Sequence, residues 1–196
     1  RFGSRVEYIE IPAGFQGTTN FLRGVADILK NQKLHDLVDQ QEQEMRPRIE
    51  AIKERFARNP VKVMFAFGPA SEFGLSKIMA DFGAEVIMIP SMKNKFAQQE
   101  KELQKKRYNV TIIEEDFDTL EDLYDQYRPD AVFCETQGRV ELTPRLIPTF
   151  CNMTYLTAYG YDFALDMGEK FHESMKLDVL SSWRDVVQRY GGDLYA

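Results

Sequence analysis

The 196-residue chain is 43% hydrophobic and 29% charged, an ordinary globular composition that excludes a disordered chain and supplies a core without covalent staples. Two cysteines exclude a disulfide scaffold, no apolar run reaches the about 18 residues that span a bilayer, and a net charge of -6 argues against nucleic acid or an anionic membrane as partner. The sequence opens on Arg1 with no leader pattern, so it is expected to be a cytoplasmic piece of a longer chain, with part of any site lying elsewhere.

Residues 5–11, RVEYIEI, alternate apolar and polar and predict a short strand. Pro12, Gly14 and Gly17 predict a loop. Thr18 or Thr19 then caps a helix with Phe21, Leu22, Val25, Ile28 and Leu29 on one face. Residues 33–58 are mostly charged, with a thin apolar stripe of Leu34, Leu37, Val38, Met45, Ile49, Ile52 and Phe56. They predict a long exposed helix, interrupted near Pro47 or divided there into two, and ended by Asn59-Pro60.

The next hundred residues change texture. VKVMFAF (61–67) is a near-continuous apolar run, typical of a strand covered on both faces. Gly68-Pro69-Ala70-Ser71 turns into a helix with Leu75, Ile78, Met79 and Phe82 inward, which Gly83 stops. AEVIMIP, NVTIIEE, AVFCET and the short TFCNM predict four more strands. Between them lie a basic helix near 93–107, a helix over FDTLEDLYDQY and a short helix or turn from Pro144 to Pro148. Strand and helix alternating at this spacing give a parallel sheet with right-handed crossovers. The rest, 161–190, is predicted helical, with Ala164, Met167, Gly168, Phe171 and Met175 on one face and Leu180, Trp183, Val186, Val187 and Tyr190 on another. The chain therefore divides into a strand, loop and long helical segment (1–58), a Rossmann-like α/β domain (59–160) and a helical tail that packs on the domain or on a partner (161–196).

Ligands of open parallel sheets bind at the carboxyl ends of the strands. Here those ends are 68–72, 90–94, 114–116, 135–139 and 153–160. The Gly-Pro-Ala-Ser turn either leaves backbone N–H groups for an anion or is a plain tight turn with Ser71 as cap; it matches neither GxGxxG nor a P-loop. Cys134 and Cys151 lack the close spacing of metal pairs and read as buried structural thiols. His35 and His172 lie on polar helices away from every strand end and read as solvated. A basic segment at 93–107 precedes one with eight acids and one arginine at 114–130; this dipolar surface is either solvated or a docking face. Tyr155, Tyr159 and Tyr161 around Gly160 either border a ligand or pack under the tail.

The order of these features resembles the carboxyl-terminal half of nitrogenase component 1 proteins. Pro12-Ala-Gly-Phe-Gln-Gly-Thr-Thr-Asn-Phe-Leu is similar to a P-x-G-x-x-x-T-x-x-F-L stretch of that family. A long polar helix follows, then VKVMFAFG, then Asp81-Phe-Gly-Ala-Glu-Val in place of a D-L-G-M-E-V-like stretch. Arg128-Pro129-Asp130 matches a K-P-D-like turn, Ile147-Pro148 an I-P pair, and Trp183 a late tryptophan. No single motif is specific; the ordered set from about Pro12 to Trp183 carries the resemblance.

The resemblance implies Rossmann-like domains, pairing with a homologous subunit, and electrons from an ATP-dependent iron–sulfur reductase. The family holds nitrogenase subunits, cofactor-assembly scaffolds and reductases of protochlorophyllide and nickel sirohydrochlorin. It implies an iron–sulfur or related metallocluster in the full assembly and no cofactor held by this piece alone, which would not be catalytic by itself. The family's cluster-holding cysteines belong to an amino-terminal domain not seen in this sequence. The expected cofactor-binding residues are Gly68, Ser71, Glu72, Gln137, Arg139, Met153 and Tyr155. Carried over singly, they depart from the molybdenum enzyme: its cofactor-lining arginine falls at Ser71, its lysine near the organic acid at Gln137, and its metal-ligating histidine at Met153. An amide carries no charge for a carboxylate and a thioether is a soft, weak ligand, so a molybdenum cofactor is not expected. A changed ligand such as a tetrapyrrole, or a subunit type that binds none, fits the substitutions. The alternatives are a non-catalytic cofactor-assembly protein or an unrelated small-molecule-binding α/β domain.

Overall fold

The computed structural model describes residues 7–66, 71–91, 93–114, 118–142, 147–151 and 159–175, and of Ser71, Thr136, Arg139 and Cys151 the backbone alone. The elements run α1 (Gly14–Leu29), α2 (Gln32–Arg58), β1 (Lys62–Ala66), α3 (Ser71–Asp81), β2 (Glu85–Ile89), α4 (Lys95–Arg107), β3 (Val110–Ile112), α5 (Leu120–Tyr127), β4 (Ala131–Cys134), α6 (Thr136–Leu142), β5 (Thr149–Cys151) and α7 (Tyr161–Met175).

The strands form a five-stranded sheet in the order β3-β2-β1-β4-β5, parallel at every pairing. The expected Rossmann-like parallel sheet flanked by helices is therefore what the chain forms. Val63 of β1 lies beside Val86 of β2 on one side and Ala131 of β4 on the other. Because side chains alternate along a strand, the apolar runs feed two cores. Val63, Phe65, Val86, Met88, Ala131 and Phe133 face α2, α3 and α7, where Ile52, Phe56, Ile78, Phe82 and Phe171 close the layer. Met64, Ala66, Ile87, Ile89, Val132 and Cys134 face α5 and α6, meeting Leu120, Leu123 and Leu142. Beyond the first residues of β1 and β2, the inner strands β1, β2 and β4 are apolar and buried because both faces are covered. At the centre of the first core α7 approaches closely: a Cβ on Gly168 would stand 2.5 Å from the Phe82 ring and 2.9 Å from Ile52.

Several local expectations are corrected. Residues 7–11 form no strand; they run across α3 and α4 outside the sheet, held by polar groups rather than by a ladder. Tyr8 donates to Glu100 at 2.5 Å, and the buried Glu10 meets Lys77 at 3.2 Å and Arg107 at 2.8 Å. Gly14 and Gly17 are helical, and Thr18 and Thr19 lie inside α1 rather than at its cap. The face α1 buries is Gly14, Gly17, Thr18, Thr19 and Ala26, whereas Ile28 and Leu29 are exposed. Small residues win there because α1 lies close to its neighbours: a Cβ on Gly14 (φ +75°) would meet Asp81 Oδ2 at 2.4 Å.

The helix α2 runs unbroken through Pro47. Its proline faces solvent, where water can serve the carbonyl left without a donor, and Val38, Ile49, Ile52 and Phe56 anchor the helix on both sides. A helix directly after β4, α6, was not anticipated; the one expected from Pro144 to Pro148 falls mainly on 143–146, outside the described residues. The tail beyond 175, with Trp183, also lies outside them.

Candidate functional site

The sheet order reverses direction beside β1: from β1 the chain moves outward to β2 and β3, then returns to the other side of β1 with β4. Such a switch opens a crevice at the carboxyl ends of the strands. The structure places a cleft of about 680 Å³ there. Its described walls are Ser91 after β2, the start of α5 after β3, and the segment from Glu135 through α6 after β4.

The two helices that wall the cleft are set by local chemistry. Thr119 caps α5: its hydroxyl accepts the Asp122 N–H at 3.1 Å, and Asp122 Oδ2 receives the Thr119 N–H at 3.1 Å and its hydroxyl at 2.7 Å. The helix α6 lies so near β4 that a Cβ on Gly138 would stand 2.9 Å from Leu120 and 3.0 Å from Cys134. Cys134 is therefore sealed beneath the helix, as expected of a structural thiol, with Cys151 beside it in the register of β4 and β5.

The expected site residues divide into three groups. Gln137 lines the cleft and turns its amide N–H onto Glu141 Oε1 at 3.4 Å. Glu72, in the first turn of α3, is fully buried behind Ser91. Its Oε1 accepts the Ser91 N–H at 3.0 Å and the Ser91 hydroxyl at 2.7 Å, while Oε2 is covered and makes no hydrogen bond. Burial pushes the Glu72 carboxyl above the usual carboxylate range; the Ser91 donations pull it back in part, and the charge of Glu135 adds to the rise. Ser71 opens α3 and Arg139 lies within α6, each placed by its backbone alone. Gly68, Met153 and Tyr155 lie outside the described residues. The segment 135–139 is not a loop, because α6 begins at Thr136.

Sequence reasoning missed Asp118, Thr119, Glu121 and Glu141 as walls of this cleft. The capping signature Thr-Leu-Glu-Asp at 119–122 was the available signal, since it fixes where α5 starts and so which side chains face the strand ends. Among the described residues no group of three His, Cys, Asp or Glu side chains converges as a metal site. His35 pairs with Asp27 at 3.0 Å, and His172 packs on Phe56 with its Nε2 3.1 Å from the Asn59 carbonyl; neither is near the cleft. The basic α4 and the acidic segment meet at Glu114, which Lys101 contacts at 2.7 Å.

A second polar cluster lies beneath α3. Lys77 is completely buried and bridges Glu10 at 3.2 Å and Glu100 at 2.6 Å. Nothing in the sequence singled it out, because it sits in an otherwise apolar helix. It fastens the segment before α1 to α4 and does not open to the cleft's described walls.

Among the described residues no helix is long and apolar enough to cross a membrane. A search of curated proteins returns no significant match. Residues 1–176 match the family described as nitrogenase component 1 type oxidoreductase, which spans both the sheet and the helices before it. With that match over most of its length, and with the parallel sheet in place, the chain belongs to the nitrogenase component 1 type oxidoreductase family.

Proposed function

We propose that this chain is the pocket-walling part of a nitrogenase-like reductase subunit, which pairs with a homologous subunit and acts only in that assembly. The observation that carries the reading is the position of the cleft: it opens at the carboxyl ends of the strands, between the segments after β2 and β4 that flank β1.

The described lining does not fit the ligand sphere of a metallocluster. An iron–sulfur or molybdenum-type group asks for thiolates or imidazoles. The described walls offer carboxylates and an amide, and Cys134 is closed off in the sheet. The domain's own part is thus to shape the pocket, exclude water and present hydrogen-bond acceptors. Electrons are supplied from outside it, by clusters of the assembly and an ATP-dependent iron–sulfur reductase protein. The same donor set favours, as a second reading, a non-catalytic cofactor-assembly member of the family.

The full-length protein, expressed anaerobically with its genomic neighbours, separates the two. Co-purification of a homologous subunit with iron and acid-labile sulfide, and a visible spectrum bleached by reductant, is the expected result. A folded, paired protein without iron would overturn the electron-transfer role and leave the assembly reading.

A further inference from the structure

Where the segment 7–11 crosses α4 it leaves a groove of about 450 Å³, whose apolar walls are Tyr8, Ile9, Ile11 and Phe96. Phe96, in the first turn of α4, is 66% exposed, and its ring stacks on that of Tyr8, 41% exposed, with centroids 6.3 Å apart. Large aromatic faces kept in water beside a groove are what protein interfaces anchor on. The groove is preformed. Glu10 meets the buried Lys77 at 3.2 Å and Tyr8 donates to Glu100 at 2.5 Å, so an occupant has no loose strap to order.

Charge is the independent observation, and it selects the occupant. Several cations here are committed: Lys77 lies between Glu10 and Glu100, Arg107 meets Glu10 at 2.8 Å, and Lys101 meets Glu114 at 2.7 Å. Lys93, Lys95 and Lys106 are exposed and make no ion pair among the described residues. Lys95 opens α4, Lys93 precedes its cap, and the first turn holds no acid. Cations at the amino end of a helix oppose its dipole, so local stability does not explain them. The helix α5 follows the usual rule, with Glu121 and Asp122 in its first turn. Glu7, which also lines the groove, and Glu102 are the exposed acids of the segment and of α4, fewer than the three free lysines. A basic face on a chain of net charge -6 calls for an acidic occupant. Neither end of this sequence supplies one: residues 1–6 carry two arginines and no acid, and 176–196 carry three acids against three bases.

We propose that this groove docks a segment of a partner protein rich in carboxylates around one apolar side chain, the apolar group on Phe96 and Tyr8 and the acids on Lys93, Lys95 and Lys106. None of the groove's lining residues belongs to the cleft, so the inference does not rest on the pocket reading.

The test places a benzophenone photocrosslinker at Gln99, an exposed residue of the groove, in the full-length protein in its native assembly. The probes are a short peptide of glutamates and aspartates around one phenylalanine, the same peptide with lysines for the acids, and single-stranded oligothymidylate. Saturable crosslinking to the acidic peptide, or to a carboxylate-rich segment of a partner already seated there, is expected, and it falls as salt rises. Lys93→Glu with Lys95→Glu is expected to weaken capture about tenfold, and Phe96→Ala to weaken it as well. Lys170→Glu, the same charge change on α7, leaves it unaltered. The milder Lys93→Gln with Lys95→Gln serves if the reversal disturbs folding. Equal or better capture of the basic peptide or the oligonucleotide, a crosslink to a second copy of this chain, no crosslink, or indifference to the lysine variants overturns the proposal.

Discussion

Asp81 ends α3 and receives, on its carboxylate, the backbone N–H groups of Phe15 and Gln16 at the start of α1, the latter at 3.0 Å. These amides favour the ionised form, but burial outweighs them and pushes the carboxyl from 3.8 up to about 7. The native state therefore holds this proton more tightly than the unfolded chain does. Its stabilisation is complete below pH 3.8 and is lost as pH rises through about 7. Denaturant titrations across that window are expected to show stability falling with rising pH, and Asp81→Asn, which keeps an acceptor for the amides, flattens the slope. Lys77 makes a different residue-scale prediction. Replacing it by methionine leaves Glu10 and Glu100 buried without their shared cation, at a cost of about 3–5 kcal/mol. A change below about 1 kcal/mol in the denaturant midpoint analysis would contradict the role assigned to it.

At the scale of elements, α2 shows how tertiary contacts override a local signal. Pro47 lacks an N–H and is poorly suited to a helix interior, which is why the sequence predicts a break. The helix continues because contacts hold it on both sides of the proline. Arg23 of α1 pairs with Asp39 at 2.8 Å and Glu42 at 2.7 Å, while Arg48 makes two bonds to Glu169 of α7. Pro47→Ala restores a hydrogen bond to an intact helix and is expected to stabilise the protein by about 1–3 kcal/mol. Loss of stability on this change would mean that the proline sets a bend the packing needs. The parallel strands were legible because each is an apolar run bounded by a turn; Gly83 (φ +97°) closing α3 is one such boundary. The alternation of 5–11 misled because the segment is held by polar contacts instead: its buried position is Glu10, tied to Lys77 and Arg107, while Tyr8 is exposed. The buried face of α1 was hidden because glycine and threonine carry little hydrophobic signal, although close approach to Asp81 selects them.

For the molecule as a whole, alternating strands and helices were enough to reach a parallel α/β sheet, and strand order then located the crevice. The site was less legible. Gln137, identified through its position at a strand end, lines the cleft, whereas Glu72 is buried and reaches it only through its bonds to Ser91 of the wall. Its remaining walls depend on where α5 and α6 begin, to within a residue or two, and boundaries are what a sequence specifies least. The central claim is that this cleft is the pocket of a nitrogenase-like subunit. It is tested most directly by Gln137→Trp, which fills the cleft from an exposed position on α6 without touching either core. The measurement is the bound small-molecule content of the anaerobically purified native assembly, variant against wild type, with its iron content, held by clusters elsewhere in the assembly, as the control. The account predicts that the variant folds and pairs like the wild type but loses the bound group. Full occupancy in the variant would contradict it.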